Sequence, residues 1–390
     1  MKTSFVGARI ILPDVVKTGT LTIENDRIVA ISDDSPADHQ TVDLTGHYLL
    51  PGFVDLHVHG GRNADFMDGT ETAFATVLQA HLEHGTTSMT PTSTVADHEE
   101  IMNFLRLTRQ FRAESPACRV LGAHFYGPYF APPAKGCHPG GALRPPTTPE
   151  YEKYLTFADI MTSATVAPEL PGAKEFALAC RERGVRVNIG HSHATFDQVQ
   201  EAISWGATHV DHLFCAMSDR ARLRLSQAFP MRGGVMEATL FFDELTTEVI
   251  ADGKHLAPEL LKLAWKCKGA DRLALVTDTM RAMDMPDGEY IFGNTTNGEV
   301  VRKHAGVGVT LDGSALASSV QGMDHMFRTM LQALPDHLPE VTRMATLTPA
   351  TIAGVGDQLG SLEVGKIADL VVMSDDFHVQ QVYLAGKRMV

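Results

Sequence analysis

Cysteine is scarce in this 390-residue chain. The five residues (Cys118, Cys137, Cys180, Cys215 and Cys267) form no CxxC pair. An odd count without paired spacing argues against a disulfide framework and for reduced thiols in the cytoplasm. An uninterrupted apolar run of membrane-spanning length is also missing, which disfavours a transmembrane helix. The opening, Met1-Lys2-Thr3-Ser4-Phe5, lacks the apolar stretch and small-residue cleavage site of a secretory signal, so a cytoplasmic protein is expected. Positive charge is in deficit. The 33 Lys and Arg stand against 47 Asp and Glu, a net charge of −14. That balance disfavours nonspecific binding to nucleic acid or anionic membranes. It still allows an anionic ligand wherever a few Arg or His residues converge. Short-period repeats and low-complexity tracts are absent too. What is present is an ordinary globular mixture, 44% hydrophobic and 21% charged. The length suits one large domain plus a small one.

Histidine is plentiful, with 18 residues. The segment PGFVDLHVHG (51–60) carries two of them. Alternate residues of a strand share a face. Val54, Leu56 and Val58 therefore point one way, and Asp55, His57 and His59 the other. Two imidazoles projecting side by side from a rigid strand suit a hydrolytic metal centre.

The organisation around this segment repeats. Strand-like runs are expected at Phe53–His59, Thr86–Pro91, Val120–His124, Ser163–Ala167, Val185–Gly190, His209–His212, Thr247–Ala251 and Leu273–Thr277. Helical stretches alternate with them, including Thr72–His84, Ala96–Arg112, Ala173–Gly184, Phe196–Trp205 and Pro258–Lys268. Eight strands alternating with helices predict an α/β fold, a (β/α)8 TIM-like barrel. Short strands at both ends predict a small β-sandwich domain built from residues 1–50 and 355–390, with the barrel at 51–354. The segment Gly127–Pro149 is rich in Gly and Pro and without periodicity. Following directly on a strand end, it reads as a binding loop or lid.

Function in such a barrel collects at the C-terminal strand ends. Those ends read His57 and His59, then His124, Glu169, His191, His212, Asp252 and Asp278. Catalytic zinc takes His and carboxylate ligands and keeps a position open for water. It brings the pKa of that water toward neutrality and polarises the scissile carbonyl. His124 reads as a residue that orients its strand end or supports the site residues from behind. Glu169 is read equally as a rim hydrogen-bonding group or a substrate contact.

These motifs resemble the amidohydrolase superfamily, and within it the N-acetylglucosamine-6-phosphate deacetylases. The resemblance runs nearly end to end. It covers PGFVDLHVHG (51–60), GTTSMTPT (85–92), GAHFYGP (122–128), APE (167–169), GHSHAT (190–195) and HLFCAM (212–217). It continues through IADGKH (250–255), LVTD (275–278), DGSALASS (312–319), LTPA (347–350) and GSLEVGKIADLVV (360–372). The resemblance implies metal-site positions at His57, His59, His191, His212 and Asp278. It implies that Asp278 is also the proton shuttle, that His138 and His255 contact a sugar phosphate, and that Cys215 and Ala216 hold it through backbone amides. It implies a homodimer acting on a small carbohydrate substrate.

Four departures matter. The family's HxEGP stretch reads His124-Phe125-Tyr126-Gly127-Pro128, so a phenol stands where a metal-bridging carboxylate is usual. One divalent metal per chain, zinc, is therefore expected on His57, His59, His191 and Asp278, with His212 polarising the substrate. For Tyr126, a phenolate ligand and a substrate contact stay open. FNAM reads Phe214-Cys215-Ala216-Met217, and the phosphate-binding Arg has only the candidates Arg220, Arg222, Arg224 and Arg232. GHSHAT adds His193 near the site. The leading expectation is deacetylation of an N-acetyl amino-sugar phosphate. The alternatives are a lactonase or a hydrolase of another N-acyl carbohydrate, and, outside catalysis, a metal-binding interaction protein.

Overall fold

Phe53–Val58 is buried at all six positions. A strand reads this way when both faces are covered. A computed structural model, which describes residues 2–33, 40–225 and 229–390, shows how. Phe53–Val58 pairs in parallel with Thr86–Pro91, which pairs in parallel with Arg119–Val120. A second parallel run follows in chain order: Ala123–Phe125, Met161–Val166, Arg186–Ile189, Ala207–Val210, Thr246–Ile250 and Leu273–Val276. Helices such as Glu71–Glu83, His98–Ala113 and Pro258–Lys268 return the chain between strands. The sheet curls until its last strand meets its first. The Asp278 amide donates to the His57 carbonyl at 2.8 Å, and Thr277 Oγ1 donates to Asp55 Oδ2 at 2.5 Å.

Local chemistry explains the boundaries. The helix Phe196–Trp205 starts at a reciprocal cap. The Gln198 amide donates to Thr195 Oγ1, and the Thr195 amide donates to Gln198 Oε1. It stops at Gly206, whose φ of 112° few other residues adopt.

The expected strand Val120–His124 is instead two pieces, Arg119–Val120 and Ala123–Phe125. Gly122 lies between them at φ 149°, and a Cβ there would come within 2.5 Å of the Ile160 carbonyl oxygen. Only glycine permits that approach, and the strand breaks to make it.

Both termini enter one eight-stranded sheet. Lys2–Ile11 pairs with Val16–Glu24, Gln40–Asp43 and Tyr48–Pro51, and Tyr48–Pro51 pairs antiparallel with Leu370–Met373. It buries its own cluster, including Phe5, Ile10, Leu21, Leu49 and Leu370. Tyr48–Pro51 runs on into Phe53–Val58 across a single residue, so this sheet anchors the strand that carries His57.

The sequence reading missed the antiparallel strands Gly288–Phe292, Glu299–His304 and Val307–Thr310, and the helices between Met323 and Ile352. Those strands are short and largely half-buried or exposed, so their hydrophobic alternation is weak. They matter because they carry Phe292 to within 5.2 Å of the His59 ring.

His84 braces the segment that follows Asp278. Its Nε2 lies 3.0 Å from Asp284 Oδ1 and its Nδ1 2.9 Å from Asp324 Oδ1. Burial opposes its charge, but Asp284 and then Asp324 outweigh it and push the imidazole up to about 9. A folded-state pKa above the unfolded value means stability present below ~6.5 and lost as pH rises through about 9. His84→Ala should therefore cost on the order of 2 kcal/mol near pH 6 and progressively less toward pH 10. Paired thermal melts across that range check this; a pH-independent difference would sink it.

Candidate metal centre and active site

Five side chains singled out in the sequence meet at the C-terminal ends of the parallel strands. His57 ends the inward face of Phe53–Val58, and His59 follows it, its amide donating to the Thr279 carbonyl at 3.0 Å. His191, His212 and Asp278 follow Arg186–Ile189, Ala207–Val210 and Leu273–Val276. These three hold left-handed φ values of 44°, 26° and 43°. Non-glycine residues adopt this region at a cost of about 1–3 kcal/mol each, and such strain clusters at functional sites.

The five divide into two groups. Ligand atoms of His57, His59 and Asp278 all lie within 4.8 Å of one another. Asp278 Oδ1 is 3.2 Å from His59 Nε2 and 3.7 Å from His57 Nε2. His191 and His212 face each other instead, Nε2 to Nε2 at 3.3 Å. Tyr126 joins this second pair, its hydroxyl 2.5 Å from His212 Nε2. Its ring packs among those of His57, His124, His138 and His191. Of the expected set of His57, His59, His191 and Asp278, three have ligand atoms within 4.8 Å of one another, and His191 lies beside them against His212.

Electrostatics separate the groups as well. Burial opposes charge on His57, but Asp278 and Glu248 outweigh it and push the imidazole up to about 9. Burial also opposes the Asp278 charge, yet His57 and His59 hold the carboxyl well below the usual range. In the other group, burial and then His57 push His212 down to about 4. Burial and then His212 push His191 well below its ordinary value. Burial and then Asp278 push the Tyr126 phenol up.

The residues present fit a divalent metal. His57 Nε2 is fully buried and has no hydrogen-bond partner among the described residues, a costly state unless that nitrogen is given a partner. Asp278, Glu248 and Asp211 place three carboxylates around His57, against the Arg186 guanidinium nearby. Positive charge is short: burial and then Glu248 push Asp211 up to about 7. A dication at His57, His59 and Asp278 would supply it.

A cavity of about 560 Å³ opens over these groups. Tyr126, His138, Cys215, Ala216 and His255 all line it. Lys135 and Arg222 line it too. Lys135 was missed in the sequence, although a cation inside the irregular Gly127–Pro149 segment was a usable signal; Arg222 was one of four candidates. His255 Nδ1 donates to Asp252 Oδ2 at 2.7 Å, which aims the rest of the ring. Residues 132–138 of the irregular segment line the cavity, and the Ala134 carbonyl accepts from His191 Nδ1 at 2.7 Å. Burial and then Asp278 push the Cys215 thiol up to about 12, so it is no nucleophile near neutral pH.

Glu169 accepts from Ser192 Oγ at 2.8 Å and from the His193 amide at 2.5 Å, so it braces the turn after His191. His124 Nε2 donates to Thr165 Oγ1 at 2.8 Å below the site. His193 is not among the residues that line the cavity. Sequence reasoning missed Glu248 altogether. Its signal was an acidic residue inside the otherwise apolar and hydroxylic strand Thr246–Ile250.

The chain is similar to known proteins over nearly its whole length. The profile of the amidohydrolase family matches residues 48–389. The N-acetylglucosamine-6-phosphate deacetylase of Vibrio furnissii is 32% identical over 367 residues, which are 93% of this chain and 88% of the relative. The N-acetylgalactosamine-6-phosphate deacetylase of Escherichia coli O157:H7 is 33% identical, over 87% of each chain. The crystal structure of N-acetylglucosamine-6-phosphate deacetylase from Pasteurella multocida superposes with a TM-score of 0.91 at 32% identity, covering both chains completely.

Proposed function

Because this chain belongs to the amidohydrolase family, we propose that it removes the acetyl group from an N-acetyl amino-sugar phosphate such as N-acetylglucosamine 6-phosphate. It is a metal-dependent hydrolase acting on a carbon–nitrogen bond. The observation that carries the reading is the convergence of His57, His59 and Asp278, the last two lining a cavity with Lys135, Arg222 and His255.

His57, His59 and Asp278 would hold one divalent metal, zinc, per chain. When bound, the metal makes water nucleophilic near neutral pH and polarises the acetyl carbonyl. The chain's own residues do the rest. Asp278 keeps its charge despite burial, so it accepts a proton from the attacking water. It then returns that proton to the departing amine, which balances the reaction as acetate and free amino sugar. His212 and Tyr126, which line the same cavity, would polarise the carbonyl oxygen as it gathers charge. Lys135, Arg222 and His255 supply positive or hydrogen-bonding groups for a phosphate. His138 packs against His59 and Phe292 and shapes the sugar pocket. The backbone at Cys215 and Ala216 lies along the same wall.

The architecture is read as a (β/α)8 barrel over residues 51–354, with the interrupted strand at Gly122 counted once. The segments 1–50 and 355–390 form the small β-sandwich domain. A homodimer in the cytoplasm completes the reading. The Tyr126 substitution favours one second reading, a lactonase or a hydrolase of another N-acyl carbohydrate, because the phenol changes the carbonyl side of the pocket.

Acetate release separates them. Zinc-loaded protein should turn over N-acetylglucosamine 6-phosphate with kcat/KM at least 100-fold above that for N-acetylglucosamine. Equal rates on both would remove the phosphate from the reading. Hydrolysis of sugar lactones without acetate release would move the assignment to the second.

A further inference from the structure

The geometry points to Glu248 as the residue that positions His57 for metal binding, a role that rests on the metal site proposed above. Glu248 lies in the strand Thr246–Ile250, and its side chain is 1% exposed. Its Oε1 accepts from His57 Nδ1 at 2.7 Å. His209 Nε2 approaches its other oxygen at 3.2 Å. Its main-chain oxygen accepts from the Leu213 amide at 2.8 Å, next to the strained His212.

A carboxylate offers only acceptors at this contact. The proton of a neutral His57 must then sit on Nδ1, and Nε2 carries the lone pair. That nitrogen is the buried, unpartnered one facing Asp278. Glu248 therefore sets tautomer and ring orientation together, and its charge raises the basicity of Nε2. Partners of this kind typically change metal affinity 10–100-fold. With the His212 amide also donating to Oε1 at 3.4 Å and His209 on its second oxygen, Glu248 cannot swing away without leaving three buried groups unpaired. His57 and Glu248 stand on strands far apart in the chain, so the pair forms only when the sheet curls.

Glu248→Gln is the test, because the amide keeps the shape but can turn either end toward His57. Zinc affinity, measured by competition with a chromophoric chelator, should fall 10–100-fold. The thermal midpoint of the metal-free protein should stay within a few degrees of wild type. Glu248→Asp, which keeps the charge, should recover part of the affinity. Unchanged affinity in Glu248→Gln would overturn the proposal. So would a metal-free protein destabilised as much as the zinc form, which would mark a purely structural role. The readout uses metal alone, so failure of the sugar-phosphate assignment would leave it standing. A wild-type chain that binds no metal would overturn both the metal site and this role.

Discussion

Asp278→Asn should lower the turnover of acetate release by about 10³–10⁴-fold, equivalent to roughly 4–5.5 kcal/mol of barrier. Asparagine keeps the size of the side chain but can neither take a proton nor carry charge. Both losses act at one atom. Oδ1 is the oxygen that faces His59 Nε2 at 3.2 Å and His57 Nε2 at 3.7 Å. Substrate binding should change far less, because the cavity's cationic wall at Lys135, Arg222 and His255 is untouched. The expected pattern is a collapse in kcat with KM within a few-fold, measured at saturating zinc so that weakened metal binding does not imitate lost proton transfer. A loss below tenfold would remove Asp278 from the chemical step.

Stripping the metal should abolish turnover, and one equivalent of zinc per chain should restore it. The number one is the substantive part. His191 and His212 present Nε2 atoms 3.3 Å apart. That is close to the roughly 3.4 Å expected for two nitrogens on one tetrahedral zinc with bonds of about 2.0–2.1 Å. These two could help hold a second ion, but Tyr126 presses its hydroxyl against His212 Nε2 at 2.5 Å. A buried phenol with its pKa pushed up supplies no negative charge there. Tyr126→Glu should therefore take up two equivalents where the wild type takes one, read by elemental analysis after gel filtration. Two equivalents in the wild type, or one in the variant, would refute the argument.

Much of the site was legible in the sequence, because strand alternation and strand ends are local properties. His57 and His59 show on the face opposite Val54, Leu56 and Val58. Asp278 shows as the polar residue ending the apolar run that begins at Leu273. The left-handed backbone at His191, His212 and Asp278 left no such trace. It follows from the turn each chain segment makes on leaving the sheet. The break at Gly122 was equally hidden, since it answers to the carbonyl of Ile160, 38 positions later.

The sequence by itself determined the alternating α/β pattern, the sharing of one region by both termini, and the types of residue at the strand ends. These depend on periodicities of two and 3.6 residues, which any short window displays. Only the tertiary structure decided which of those residues meet. It grouped His57 and His59 with Asp278, and His191 with His212 and Tyr126. It also set Glu248 behind His57 across 191 positions of chain. Such pairings depend on the register of neighbouring strands and on the curl that brings the last strand to the first. A one-residue slip in register would turn each side chain to the other face, so no local pattern contains them.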